Sequence, residues 1–127
     1  MAAVNGIGWF EIGTSDPAGA QKFYGEVFGW TFGTDAGDLP GYQMITTGGE
    51  GPGLHAGGLL DTGGALPGYA VFGVLVADVG ETCKRVEAAG GSIRRAPEVT
   101  PAGLTFAHLL DPAGNQFEVF APPPGGE

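Results

Sequence analysis

One cysteine in 127 residues excludes an internal disulfide and fits a reducing compartment. Cationic side chains are also scarce. Five Lys and Arg stand against fourteen Asp and Glu, for a net charge of −9. Phosphates need a basic face, so this balance speaks against nucleic acid as a partner. The acidic balance suits a cationic small molecule, or serves solubility alone. The opening MAAVNGIGWF lacks the basic and long apolar regions of a secretory leader. No apolar run approaches the roughly 20 residues a membrane-spanning helix needs, so the expected setting is cytoplasmic, away from membranes. Glycine and proline, by contrast, are plentiful, at 26 and ten. They fall mostly between periodic segments and mark the turns of a strand-rich chain. With 43% apolar residues, the length suits one domain, or two half-domains of about 60 residues too small to stand alone.

The organising stretch is Gly8 to Phe32, GWFEIGTSDPAGAQKFYGEVFGWTF. Trp9 to Gly13 alternates as a strand, with Trp9 and Glu11 on one face and Phe10 and Ile12 on the other. Ser15 or Asp16 can cap a helix whose first turn holds Pro17. Ala20, Phe23, Tyr24, Val27 and Phe28 follow the i, i+3, i+4 spacing and predict one continuous apolar helix face. Gly29 stops the helix before a strand at Trp30 to Phe32. The helix is expected to cover Phe10 and Ile12. Trp9 and Glu11 are then left on the opposite face, where a carboxylate needs a partner.

The plan repeats. Tyr69 to Val76 predicts a strand, Asp78 opens a helix over Val79 to Ala89, and Gly90 and Gly91 stop it. Asp16 and Asp78 are 62 residues apart and Gly29 and Gly90 are 61 apart, which points to an internal duplication. Cys83 is expected as a small core residue of the second helix. Further strands are expected at Tyr42 to Thr47, Leu54 to Leu60, Ser92 to Arg95, Leu104 to Leu110 and Gln116 to Ala121. Loops are expected at 33–41, 48–53 and 61–68, and between Pro97 and Pro101. Gly57 and Gly58 mark a close approach by a ligand or another backbone. Asp111-Pro112-Ala113-Gly114-Asn115 has the residues of a hairpin turn. Residues 122–127 are expected to form a flexible tail.

This duplicated βαβββ plan, with S-D-P, F-Y and F-G-W in the first half and D-P-A-G-N-Q-F-E-V-F near the end, resembles the vicinal oxygen chelate superfamily of glyoxalases, bleomycin-resistance proteins and extradiol dioxygenases. The resemblance covers residues 5 to 121. It implies an α+β fold in which two tandem modules, about 5–60 and 69–121, form a half-open eight-stranded barrel-like sheet with helices on the convex face. It further implies a ligand or metal on the concave face and a homodimer.

Metal-binding members take ligands from the first and last strands of each module. The resemblance places Glu118 on the last-strand carboxylate position and Trp9 and Val71 on the first-strand positions, with the fourth near His55 or Ala56. Trp and Val bind no hard cation. No metal cofactor is therefore expected; were a divalent metal present, Glu118 and His55 would hold it. A lone histidine such as His55 is more often a hydrogen-bonded strand residue than a ligand, and His108 is expected to be structural. Trp9, Glu11, His55 and Glu118 remain as ligand-binding candidates, an aromatic wall with acidic groups. Two functions are open: a binder of a small organic molecule, or a glyoxalase-like lyase, isomerase or epimerase with Glu118 as catalytic base.

Overall fold

A computed structural model describes residues 4–33, 41–48, 55–64 and 67–123. The loops expected over 34–40, 49–53 and 65–66, the strand start at Leu54 and the tail residues 124–127 lie outside the described residues. The fold is α+β, and the described residues form eight strands in mixed parallel and antiparallel pairing and two helices. In chain order these are β1 (Ile7–Thr14), α1 (Pro17–Phe28), β2 (Thr31–Gly33), β3 (Tyr42–Thr46), β4 (Ala56–Asp61), β5 (Tyr69–Leu75), α2 (Val79–Ala88), β6 (Ser92–Val99), β7 (Thr105–Leu110) and β8 (Gln116–Ala121). The chain divides into two compact units. The first is Trp9–Ala70, and the second joins Met1–Gly8 to Val71–Glu127.

In the first unit the strands run in the order β2-β3-β4-β1. β1 is parallel to β4, and the other pairs are antiparallel. Asp16 caps α1 by accepting from the Gly19 amide at 3.1 Å. A side chain at residue 19 would collide with that carboxylate, so the glycine is what admits the cap. Gly29 ends the helix at φ 75°, a conformation open to glycine at little cost. The helix covers its sheet less completely than its spacing predicts. No α1 residue is fully buried, and Phe23, Val27 and Phe28 are more than half exposed. Trp30, just past the Gly29 turn, packs against the helix here. Its ring stacks on Tyr24 at 5.0 Å and meets Phe10 at 5.9 Å, standing between helix and sheet. Ile45 and Leu59 complete this core.

In the second unit the order is β5-β8-β7-β6, with β5 parallel to β8 and the other pairs antiparallel. Asp78 caps α2 by accepting from the Glu81 amide. Val79 and Cys83 of α2 pack with Val76, Ala107, Leu109, Val119 and Ala121 into one core. Burial, with Glu87 nearby, pushes the Cys83 thiol up from its ordinary pKa. β6 runs on through Pro97 to Val99, four residues past its expected end at Arg95. Proline cannot donate to a ladder, yet here it sits on the unit's outermost strand, where the register shifts between Ile93 and Arg95 and again before Glu98.

Candidate functional site

Strand parity separates the two faces of the first unit. Phe10 meets Trp30 and so faces α1. Gln43 hydrogen-bonds Gln21 of the helix and faces it too. With side chains alternating along each strand, Trp9, Glu11 and Gly13 point the other way, as do Tyr42, Met44 and Gly58. On that far face a polar network forms. The Trp9 indole donates to the Tyr42 hydroxyl at 3.0 Å, and that hydroxyl donates to Glu11 Oε1 at 3.1 Å. The Tyr69 hydroxyl donates to Glu11 Oε2. Each carboxylate oxygen thus takes a phenol, and Glu11 is only 5% exposed. Neutral donors stabilise a buried carboxylate without cancelling its charge.

Two glycines make room for this network. A Cβ on Gly58 would fall 1.7 Å from the Tyr42 hydroxyl oxygen, and one on Gly13 would fall 2.4 Å from the Tyr69 ring. Any side chain at either place would displace a phenol from Glu11. Gly57 serves the opposite face, where its missing Cβ admits the Phe10 ring. The close approach expected around Gly57 and Gly58 is therefore made by aromatic side chains of the same unit.

The second unit carries a row of its own. Gly73, Glu118, His108 and Arg95 stand directly opposite one another on β5, β8, β7 and β6. The core cluster occupies the other parity of these strands and packs on α2. The row consequently faces away from the helix. Glu118 and His108 are 6% and 3% exposed, and His108 Nε2 lies 4.0 Å from Glu118 Oε2. Gln116 Nε2 lies 2.9 Å from His108 Nδ1. An amide nitrogen only donates, so Nδ1 accepts and the imidazole hydrogen sits on Nε2, on the Glu118 side. Beyond the histidine, Arg95 lies over the Phe106 ring at 5.3 Å and forks onto both oxygens of Glu98. That hydrogen-bonded fork is the chief reason the Glu98 carboxyl is held below its ordinary range.

The sequence candidates fall unevenly on this geometry. Trp9 and Glu11 join one network, which also takes in Tyr42 and Tyr69. Glu118 faces His108, a residue to which spacing assigns only a structural role. The Asp111 to Asn115 hairpin fixes that pairing, because an Asp111–Asn115 closure sets residue 108 against residue 118. His55 precedes β4, where its Nδ1 lies 3.4 Å from the Gly48 carbonyl. Opposite Glu118 on β5 stands Gly73 rather than Val71.

The chain matches the profile of the glyoxalase/bleomycin resistance protein/dioxygenase superfamily over residues 6–119. Among solved structures it is similar to one described as an NAD-dependent benzaldehyde dehydrogenase from Legionella pneumophila, with TM-score 0.61 and 18% identity, covering 89% of this chain and 96% of that one. It is also similar to methylmalonyl-CoA epimerase from Mycobacterium tuberculosis, with TM-score 0.59 and 15% identity over 98% and 95% of the two chains. A Mn(II)-bound glyoxalase from Novosphingobium aromaticivorans gives 0.58 and 21%, over 95% of this chain and 40% of that one. Identities this low carry the fold alone. No protein of curated function matches.

A centre like that manganese one requires several oxygen or nitrogen donors on one cation. Here Gly58 and Gly73 stand opposite the two carboxylates and offer no side chain. Trp9 has no lone pair to give. A metal-bound imidazole gives its other N–H to an acceptor, whereas the other nitrogen of His108 receives an amide donor. Among the described residues, neither unit by itself presents a fitting donor set.

Proposed function

We propose, on the premise that the chain belongs to the glyoxalase/bleomycin resistance protein/dioxygenase superfamily, that it binds a small organic molecule on the sheet face opposite α1. The observation carrying this reading is the Glu11 network. A sheet face needed only for packing is filled most simply by Val, Ile and Leu. Here a buried carboxylate is held by two phenols, beside a tryptophan, over strands cleared by glycine. A rigid aromatic wall with one oriented charge is the usual make-up of a ligand site. Trp9, Glu11, Tyr42 and Tyr69 are the binding residues of this reading. The test is emission from Trp9 in a Trp30→Phe protein, which leaves Trp9 as the sole tryptophan. Ligands should quench it saturably, and Glu11→Gln should weaken them.

A second reading has its own observation, the imidazole 4.0 Å from Glu118. A buried carboxylate with a histidine beside it can take and return a proton, as an epimerase, isomerase or lyase requires. Deuterium entering a bound ligand from heavy water would reveal such exchange. Glu118→Gln should abolish turnover if this reading holds, and only trim affinity if the protein is a binder. We further expect a homodimer in the cytoplasm. Sedimentation velocity measures the first. Among the described residues no helix is long and apolar enough to cross a membrane.

A further inference from the structure

Asparagine occurs at two positions in the chain, and their surroundings set them apart. Asn115 precedes a glutamine. Its side-chain amide donates to Asp111 Oδ2 at 3.0 Å, and its backbone amide donates to Asp111 Oδ1 at 2.9 Å. Asn5 precedes Gly6 and is exposed. At φ 72° it is, among the described residues, the one non-glycine residue in the left-handed region, where asparagine is better tolerated than most. It lies in a turn ahead of β1, and its neighbours Val4 and Ile7 are each more than half exposed. Backbone bonds tie this stretch to β5 of the same unit. The Asn5 N–H donates to the Leu75 carbonyl at 2.6 Å, and the Leu75 N–H donates to the Gly6 carbonyl at 3.0 Å. The Asn5–Gly6 peptide bond therefore sits inside a two-bond clip. The clip uses the Asn5 N–H and the Gly6 carbonyl. The atoms able to react with each other are different ones, the Asn5 side-chain carbonyl carbon and the Gly6 nitrogen. Glycine has no Cβ to screen that nitrogen from the side chain before it.

We propose that Asn5–Gly6 is a site of spontaneous modification, where deamidation to isoaspartate releases the N-terminal stretch from β5. The Gly6 nitrogen bonds to the Asn5 side-chain carbon, and ammonia leaves with the Gly6 amide hydrogen, closing a cyclic imide. Water then opens the ring. Attack at the main-chain carbonyl breaks its bond to the Gly6 nitrogen, which takes back a hydrogen, and the chain now runs through the former side chain. Attack at the other carbonyl gives ordinary aspartate. No atom is oxidised or reduced, and water is the only co-reactant. The isoaspartate form inserts a carbon into the main chain between the two clip groups, so Leu75 no longer meets both in register. It also frees a carboxylate in a chain whose net charge is already −9. Asn115 is spared, because the Asp111 side chain holds its amide and the residue after it carries a side chain.

The test ages the intact protein in mildly alkaline buffer at body temperature and samples it over weeks. Peptide mapping with electron-transfer fragmentation locates the change and separates isoaspartate from aspartate. An isoaspartyl-specific carboxyl methyltransferase counts the isoaspartate independently. Residue 5 should convert well ahead of Asn115, giving isoaspartate together with aspartate. Hydrogen-exchange protection of the Leu75 amide should be lost in step with the isoaspartate fraction, while that of Val119 in β8 stays. Asn5→Gly suits the positive φ and has no amide to lose, so it should keep Leu75 protected through the same ageing. Fresh Asn5→Asp carries the charge without the longer main chain and should keep it protected too. Conversion of Asn115 as fast as residue 5, aspartate alone, or no change at residue 5 overturns the site. Isoaspartate accumulating while the Leu75 amide stays protected overturns the release.

Discussion

Tyr42 lies across Gly58 so closely that a single methyl group at residue 58 would stand 1.7 Å from the phenol oxygen. That oxygen is at once the acceptor for Trp9 and a donor to Glu11. Gly58→Ala should therefore force the ring away and break both bonds. Overpacking and the lost bonds together should cost about 2–4 kcal/mol. Urea unfolding measures it, and Trp9 emission should shift in the same variant.

Tyr69→Phe removes one of the two phenol donors to Glu11 while keeping the ring over Gly13. A buried carboxylate deprived of a donor should cost about 1–3 kcal/mol. Adding Glu11→Gln to that variant should recover part of the loss, since the charge needing the donor is gone. A double-mutant cycle reads the coupling.

Much of the fold was legible because its signals are local. The Asp16 and Asp78 caps, the Gly29 stop and the Asp111 hairpin each depend on residues a few places apart. The facing of Trp9 and Glu11 followed from strand alternation alone. Partners brought in from distant strands were not legible. Nothing local connects Tyr42 or Tyr69 to Glu11, since they lie 31 and 58 positions away. His108 was within reach, because a symmetric turn at 111–115 already implies its pairing with Glu118. Ligand spacing passes it over; hairpin register brings it in. Periodicity reports which side of a helix is apolar, not how fully that side is covered, and Phe23, Val27 and Phe28 stay more than half exposed.

The helix caps give a direct stability test. Asp16→Ala and Asp78→Ala should each cost about 1 kcal/mol, as each removes a side-chain acceptor from an N-terminal amide. Gly29→Ala should cost a similar amount, about 1 kcal/mol, through its φ of 75° alone, because no atom lies within 4 Å of the added Cβ. Denaturant midpoints measure all three.

The hairpin makes a prediction in acid. The Asn115 side chain, then its backbone amide, then those of Ala113 and Gly114 hold the Asp111 carboxyl below its ordinary range. Because the folded value is depressed, this contribution to stability is present above the ordinary aspartate range. It is lost as pH falls through the lowered value. Asn115→Ala should raise the Asp111 midpoint in a carbon-13 carboxyl titration. It should also flatten the dependence of stability on pH across that acidic window.

The central claim is that ligands bind on the first unit's sheet face opposite α1. The most direct measurement is nuclear magnetic resonance of the labelled protein against a library of small organic molecules. Shifts should gather on the Trp9 indole N–H, the Gly58 and Gly13 amides and the rings of Tyr42 and Tyr69, and should saturate. Saturable shifts confined to α1 around Phe23 and Val27, or none across the library, would contradict it.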